Sequence, residues 1–241
     1  MTVYLFVLAV GLVAGCVSGV IGTGSSIMLL PVLVFSFGPK QAVPIMAIAA
    51  VMANLARVMA WWREVDWRAF AAYALPGAPA AALGARTLLV LPPRVIDLAL
   101  GLFFLLMVPG RHWLARRNLK IGLWQLGAAG VVIGFLTGVV LSTGPLSVPA
   151  FTAYGLSMGA FLSTEAASSL LLYACKVATF RELGALPPAT IAQGLIVGAS
   201  LMVGAFVAKR AVLKMSPGLF RLLLDGLMAV SGLSLLWAAV D

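Results

Sequence analysis

The sequence predicts an all-α protein that crosses a membrane several times and consists of two five-segment repeats of inverted topology with broken or re-entrant helices. Composition supplies the first observation: of 241 residues, 63% are hydrophobic and 10% are charged. A soluble globule has roughly 45–50% apolar and about 25% charged residues. Apolar runs of about 18 or more residues recur along the chain, which is the length that lipid requires of a helix. A polytopic membrane protein is therefore expected, in the cell membrane, with lipid around it.

An internal duplication supplies the second observation. Gly15 and Gly19 recur as Gly134 and Gly138, in each case 119 residues later. Each glycine pair is followed by a Thr-Gly turn inside an apolar run, Gly22-Thr23-Gly24-Ser25-Ser26 in the first half and Ser142-Thr143-Gly144-Pro145 in the second. A break at corresponding places of two repeats is typical of transporters whose substrate site lies between the repeats.

Ten apolar segments are predicted, five in each half. In order they cover about 3–21, 24–37, 42–62, 69–86, 95–109, 121–141, 145–155, 158–179, 189–209 and 219–239. The second and seventh segments are too short to cross a bilayer, which takes about 20 helical residues. We interpret each as one arm of a broken helix or hairpin. This divides the chain into a first repeat at 1–110, a basic cytoplasmic linker at 111–120 and a second repeat at 121–241.

Loop charges favour opposite orientations of the two halves. With five elements per half, ten basic residues share the linker side (Arg63, Arg68, Arg111, Arg116, Arg117, Lys120, Lys209, Arg210, Lys214 and Arg221) and four lie opposite (Lys40, Arg86, Arg94 and Arg181). With four elements per half the tally is seven against seven. The positive-inside rule selects the unequal count and places the linker in the cytoplasm. The formal net charge of +9 is thereby attributed to cytoplasmic loops, and we expect no nucleic acid as a partner.

The two Thr-Gly turns are the predicted binding site for an anion. A turn that opens a short helix offers free N–H groups and the positive end of the helix dipole. The candidate residues are Thr23, Gly24, Ser25, Ser26, Ser142, Thr143, Gly144 and Pro145. The alternative is that the glycines only let helices pack closely, and this is the interpretation we favour for Gly15, Gly19, Gly134 and Gly138.

Four polar residues inside the apolar segments extend the candidate site. Arg57 and Lys176 are 119 residues apart, and intramembrane charges are costly and therefore commonly functional. They would attract the anion or, alternatively, reach back to water as anchors. Asn54 shares a helix face with Arg57 or serves within the helix bundle. Glu165 would carry a coupling proton or, alternatively, pair with a basic residue or face the membrane interface.

The order of these motifs resembles the TauE/SafE family of membrane transporters, also called the sulfite exporter family. In the first half the likeness rests on the Gly-rich turn, Pro31, Gly38-Pro39, Ala42, Asn54, Arg57, Arg63–Arg68, Gly77, Gly84, Ala85-Arg86 and Leu91–Arg94. In the second half it rests on Lys176, Arg181-Glu182, Gly198, Gly204, Ala208-Lys209 and Ser216-Pro217. Both turns carry more hydroxyls than the family usually has. The resemblance implies transport of sulfur-containing anions such as sulfite and organosulfonates.

Three functions therefore remain open. The first is a secondary transporter of a small anion that works by alternating access and is coupled to protons or to the membrane potential, since no ATP-binding motif occurs. The second is a non-transporting assembly partner of another membrane complex. The third, an intramembrane enzyme, is disfavoured because the one histidine, His112, lies in the predicted linker, far from the serines of the spans. We expect no catalytic residues, no metal site and no cofactor.

Overall fold

The computed structural model describes residues 2–21, 25–116, 120–140 and 144–208, and single residues or short groups between 222 and 239. The described part is helical and contains no strand. Nine α-helices and one 3₁₀ turn occur in the order α1 (Thr2–Ile21), α2 (Ser25–Phe37), α3 (Pro39–Trp61), the turn Trp62–Glu64, α4 (Trp67–Val90), α5 (Pro93–Arg116), α6 (Leu123–Val140), α7 (Gly144–Tyr154), α8 (Met158–Glu182) and α9 (Pro188–Ala208). The described residues within 222–239 are also helical.

The helices begin and end where local chemistry allows. Gly38, Gly155 and Gly184 have positive φ angles and follow α2, α7 and α8, because glycine accepts the left-handed backbone that ends a helix. Pro39 opens α3, a position at which its missing N–H costs nothing. The Asp66 carboxylate caps α4 by accepting hydrogen bonds from the amides of Arg68 and Ala69 at 2.9 and 3.0 Å.

The predicted segments correspond to the nine described helices, with one wrong boundary. The fifth segment was expected to end near Pro109-Gly110, but α5 continues through both residues to Arg116. Proline and glycine persist inside intramembrane helices where neighbouring groups satisfy the freed backbone. Arg111 and Arg116 are therefore helical, although we assigned them to a loop. The linker residues 117–119 and much of the tenth segment lie outside the described residues.

Among the described side chains, Lys40–Met59 within α3 is the one helical stretch that is long and apolar enough by itself to cross a bilayer. Shorter apolar stretches occur at Phe6–Cys16, Met28–Phe37, Leu123–Val139 and Pro188–Gly204. The remaining helices combine apolar and polar residues, and many of their large apolar side chains are exposed. Such an exterior suits lipid and would be costly in water.

Eight of the nine described helices, all except α5, form two bundles. Each bundle contains three helices from one half of the chain and one from the other half. The first bundle contains α1, α2 and α3 with α9, and the second contains α6, α7 and α8 with α4. The most extensive packing joins α4 to α6 and α1 to α9. The bundles meet chiefly where α3 packs on α8, and α3 and α8 occupy the same place in their respective halves. The contacts of one half are thus repeated by the other.

Close approaches show the direction of each helix. Gly130 and Gly134 lie against Tyr73 and Gly77, so α6 and α4 run parallel. In the same way α9 runs parallel to both α1 and α3. Gly204 lies against Gly15 and Gly198 lies against Met52, and along each pair of helices the residue numbers of the contacting groups increase together.

The two groups of parallel helices point in opposite directions. Arg57 meets Glu165, whereas Glu64, farther along the chain, meets Gly159, so α3 and α8 are antiparallel. Asp66 and Gly77 meet Thr164 and Leu172, which makes α4 parallel to α8. Helices that correspond between the halves (α1 and α6, α3 and α8, α4 and α9) therefore run in opposite directions.

The glycines that recur at the same spacing in the two halves of the chain serve helix packing. A Cβ atom on Gly15 would lie within 3 Å of the Leu201 backbone, and one on Gly134 would lie 2.8 Å from the Gly77 Cα. Gly138 and Gly84 approach each other in the same manner. This confirms the packing interpretation for Gly15, Gly134 and Gly138, since only glycine permits backbones to come this close.

Candidate functional site

A polar stripe runs along the face of α8 that meets the other helices. Glu165, Ser169, Tyr173 and Lys176 follow one another at intervals of four, four and three residues, which places them on one face. Glu165 is 3% exposed, Tyr173 is 7% exposed and Lys176 is fully buried. Buried polar side chains at this density are costly in a protein that lies in lipid, so they indicate function.

An ion pair joins the two bundles at this stripe. Arg57 Nη1 of α3 donates to Glu165 Oε2 of α8 at 3.2 Å, and the two side chains are 12% and 4% exposed. Arg57 Nη2 also donates to Asn54 Oδ1, and Asn54 Nδ2 donates to the Ala50 carbonyl at 2.8 Å. Asn54 therefore shares the face of Arg57, and both of these hydrogen bonds lie within α3. The other predicted role of Asn54, within the helix bundle, stays a prediction.

The second carboxylate oxygen of Glu165 is held by hydroxyls. Ser169 donates to Oε1 at 2.8 Å from one turn further along α8, and Ser147 donates to the same atom at 3.2 Å from α7. Ser147 is 3% exposed and lies in the first turn of the short helix that follows the second break. One buried carboxylate therefore connects α3, α7 and α8.

The described part of the first break reaches the same stripe. Ser26 hydrogen-bonds the Tyr173 side chain, and Ser25 is 8% exposed at the start of α2. The first turns of both short helices thus contact α8 about two turns apart. Thr23, Gly24, Ser142 and Thr143 lie outside the described residues. Gly144 and Pro145 open α7, as predicted for the proline.

The seventh segment returns to the side on which the sixth begins. The amide of Ile121, just before α6, donates to the Ala153 carbonyl near the end of α7 at 3.1 Å. With 11 residues, α7 extends about 16 Å, roughly half the hydrocarbon thickness. The start of α7 therefore lies in the interior of the membrane-embedded body.

Lys176 lies apart from the Arg57–Glu165 pair. Its Nζ donates to the Thr137 carbonyl of α6 at 2.8 Å and lies 5.4 Å from the centre of the Phe180 ring. Eleven residues separate Glu165 from Lys176, which is about 16 Å along a helix. Lys176 and the Arg57–Glu165 pair therefore lie at two different levels along α8. That both cations bind the anion stays a prediction.

The structure bears on two of the alternatives left open for the charged residues. Lys176 does not reach back to water, because its side chain is fully buried, so the anchor interpretation is wrong for this residue. Glu165 does pair with a basic residue, Arg57. Neither observation tests whether these residues bind an anion or carry a proton.

Sequence reasoning missed Ser147, Ser169 and Tyr173. The spacing of Ser169 and Tyr173 from Glu165 would have found them, because each lies four residues beyond the last on a predicted helix. Ser147 carried a weaker signal, as a hydroxyl in the first turn after the second break.

Comparison with known proteins gives one match. No curated protein and no solved structure matches the chain, whereas the family model described as "Sulfite exporter TauE/SafE" matches residues 7–235. Nearly the whole chain is covered, including both breaks and every residue of the stripe. Members of this family are multi-pass membrane proteins that transport anions and are not enzymes. The chain therefore belongs to the TauE/SafE sulfite exporter family of membrane transporters.

Proposed function

We propose that this protein is a secondary transporter of a small sulfur-containing oxyanion, either sulfite or an organosulfonate, and that the anion binds between the two bundles. The Arg57–Glu165 contact carries this proposal, because it is a buried ion pair at the interface between the bundles. An arginine guanidinium offers two parallel N–H donors that match an oxyanion. A buried arginine at the interface between the bundles is thus a suitable anchor for an anionic substrate.

The arrangement of the bundles supports transport by alternating access. Corresponding helices of the two halves run in opposite directions, which is the feature expected of inverted repeats. The interface of α3 with α8 is the place where the two bundles contact each other most. We propose that one bundle rocks against the other about this interface, so that the site opens to each side of the membrane in turn.

The two breaks would complete the site. Ser26 and Ser147 already contribute hydroxyls to the α8 stripe. We propose that Thr23, Gly24 and Ser25 at the first break, and Ser142, Thr143, Gly144 and Pro145 at the second, surround the anion. Free amides at a helix start and nearby hydroxyls would replace its hydration shell.

Arg57 and Lys176 would serve as successive positions on the path of the anion. Arg57 lies toward the end of the molecule that carries the turn Trp62–Glu64, and Lys176 lies six residues before the far end of α8. An uncompensated ammonium in a dry interior is unfavourable, and a passing anion would relieve this cost. Glu165 is proposed to carry the coupling proton.

The test is counterflow in liposomes that contain the purified full-length protein. Labelled sulfite, a sulfonate and a carboxylate are compared, with the Gly24→Ala, Gly144→Ala and Arg57→Gln variants beside the wild type. Arg63→Gln is the matched control, because Arg63 is exposed on the 3₁₀ turn just beyond α3. We expect sulfite or sulfonate counterflow in the wild type and the control, and its loss in Arg57→Gln. Counterflow that is unchanged in Gly24→Ala, Gly144→Ala and Arg57→Gln would contradict the proposed site, and its absence with every anion would contradict the proposed function.

A further inference from the structure

Glu165 already holds the groups that an incoming anion needs. Its carboxylate is an oxyanion, bound through Oε2 to the Arg57 guanidinium and through Oε1 to the Ser147 and Ser169 hydroxyls. One cation and two hydroxyl donors around a nearly water-free oxyanion form a built anion site. In the structure this site is filled by a side chain of the protein itself.

We infer that Glu165 is a built-in competitor of the transported anion and releases Arg57, Ser147 and Ser169 when it takes up a proton. This inference rests on the transport function proposed above and specifies its coupling. A guanidinium that is 12% exposed cannot compensate two anions, because the second would be buried without a partner. Once the Glu165 carboxyl is neutral, it no longer balances the charge of Arg57, and the substrate anion pairs with the guanidinium in its place.

The charges balance with one proton for each anion. Before binding, Arg57 and the Glu165 carboxylate are together neutral. After binding, the proton resides on Glu165 as a carboxylic acid, and the substrate anion balances Arg57. The proton and the anion would therefore move in the same direction, and the substrate would be an oxyanion with two or more acceptor oxygens, since it takes over contacts that two oxygens made.

Among the side chains that face one another at this site, Glu165 is the one that can exchange a proton in the neutral pH range. Arg57 faces it from α3, Tyr73 from α4 and Tyr173 from its own helix. Arginine and tyrosine keep their protons below about pH 9. From α7 the facing group is Ser147, which does not titrate. The other carboxylates nearby have separate places, because Asp66 caps α4 and Glu64 lies against Gly159, more than a turn away on α8.

The test uses methanesulfonate, an anion that stays singly charged between about pH 5 and pH 8. Its dissociation constant for the purified full-length protein is measured across this range. Proton uptake on binding is measured in weakly buffered solution. We expect one proton to be taken up per anion bound and, over the pH range in which it is taken up, a dissociation constant that rises about tenfold for each pH unit.

Glu165→Gln is the informative variant, because it keeps the shape of the side chain and stays neutral. We expect its methanesulfonate affinity to be independent of pH and higher than that of the wild type at alkaline pH. Glu182→Gln is the matched control on the same helix, because the Glu182 side chain is 69% exposed. We expect it to keep the pH dependence of the wild type.

Each result decides the inference. A wild type that binds methanesulfonate without taking up a proton would overturn it and leave the transport proposal standing. A Glu165→Gln protein that keeps the wild-type pH dependence would also overturn it. A wild type that neither binds methanesulfonate nor shows counterflow of sulfite, sulfonate or carboxylate would overturn the proposed function and this inference with it. If Glu165→Gln fails to fold, the proton count on the wild type decides.

Discussion

Substitution of Gly134 by alanine should force α6 away from α4. The added Cβ would lie 2.8 Å from the Gly77 Cα and 2.9 Å from the Gly77 carbonyl carbon, and nearer still to the carbonyl oxygen. Ordinary contact begins at 3.4 Å, so the two backbones would have to separate by more than about half an ångström. Overpacking of this kind costs about 1–3 kcal/mol. Because this is the most extensively packed pair of helices, little slack exists to absorb the shift.

The assay is thermal unfolding of the purified protein in detergent. For a chain of this size, about 1–3 kcal/mol corresponds to a midpoint lower by about 2–12 °C. Two glycines give a graded control, since a Cβ on Gly127 would lie 3.2 Å from the Ala72 carbonyl oxygen and one on Gly110 would lie 3.5 Å from the Met107 methyl. We expect a small decrease for Gly127→Ala and no decrease for Gly110→Ala. Equal midpoints for the three variants would refute the reasoning from backbone approach.

Three further predictions concern charge and capping. Lys176→Met should leave the thermal midpoint unchanged or raise it, because a buried cation without a carboxylate contributes no stability. The same variant should lower sulfite counterflow at least tenfold. A lower thermal midpoint together with lower counterflow would indicate a structural role. Arg57→Gln alone should lower the free energy of unfolding by about 3–5 kcal/mol, because it leaves Glu165 uncompensated. Addition of Glu165→Gln should restore part of that stability. Additive losses of stability in thermal unfolding would contradict the ion pair. Asp66→Ala should lower the midpoint by the equivalent of about 0.5–2 kcal/mol through loss of the α4 cap, and an unchanged midpoint would show that the cap contributes nothing.

Periodicity and composition predicted the helices well, because a span in lipid must satisfy its backbone within itself. The starts of α2 and α7, which lie at the two Thr-Gly sequences, were also readable from the sequence. The end of α5 could not be read from the sequence. Pro109 and Gly110 end a helix only when no neighbouring group satisfies the backbone that they leave without hydrogen bonds. That compensation depends on tertiary packing, which local sequence does not contain.

The candidate site was predicted as a set of residue types and not as an arrangement. Arg57, Lys176 and Glu165 were identified because charge inside an apolar segment is conspicuous. Their pairing was not predictable, because Arg57 and Glu165 are 108 residues apart and their contact depends on the antiparallel register of α3 on α8. The same register separates Lys176 from Arg57, although the repeat offset suggested equivalent partners for one anion.

The two halves share a fold but differ in charge at one pair of positions, and this difference gives a final prediction. Residue 165 corresponds by the 119-residue offset to Met46, which is fully buried. The antiparallel register that joins Arg57 to Glu165 pairs position 46 of α3 with position 176 of α8. Arg57 thus has a carboxylate partner, whereas the position paired with Lys176 holds a methionine. A carboxylate at position 46 should restore the symmetry and occupy Lys176 permanently.

Met46→Glu is therefore expected to lower anion counterflow at least tenfold, an effect that corresponds to about 1.4 kcal/mol of lost anion binding at Lys176. Met46→Gln is the matched control, because it has the same length without the charge and leaves Lys176 available. Counterflow of labelled sulfite measures the transport activity of both variants, and thermal unfolding checks that both variants fold. Equal losses in the two variants would mean that position 46 acts through packing, whereas a loss confined to glutamate would show that an uncompensated Lys176 is required for the path. The two halves of the scaffold correspond to each other, but of these two cations only Arg57 has, among the described residues, a carboxylate partner that could take up a proton. This difference would allow the protein to couple one proton to the anion at the Arg57 step alone.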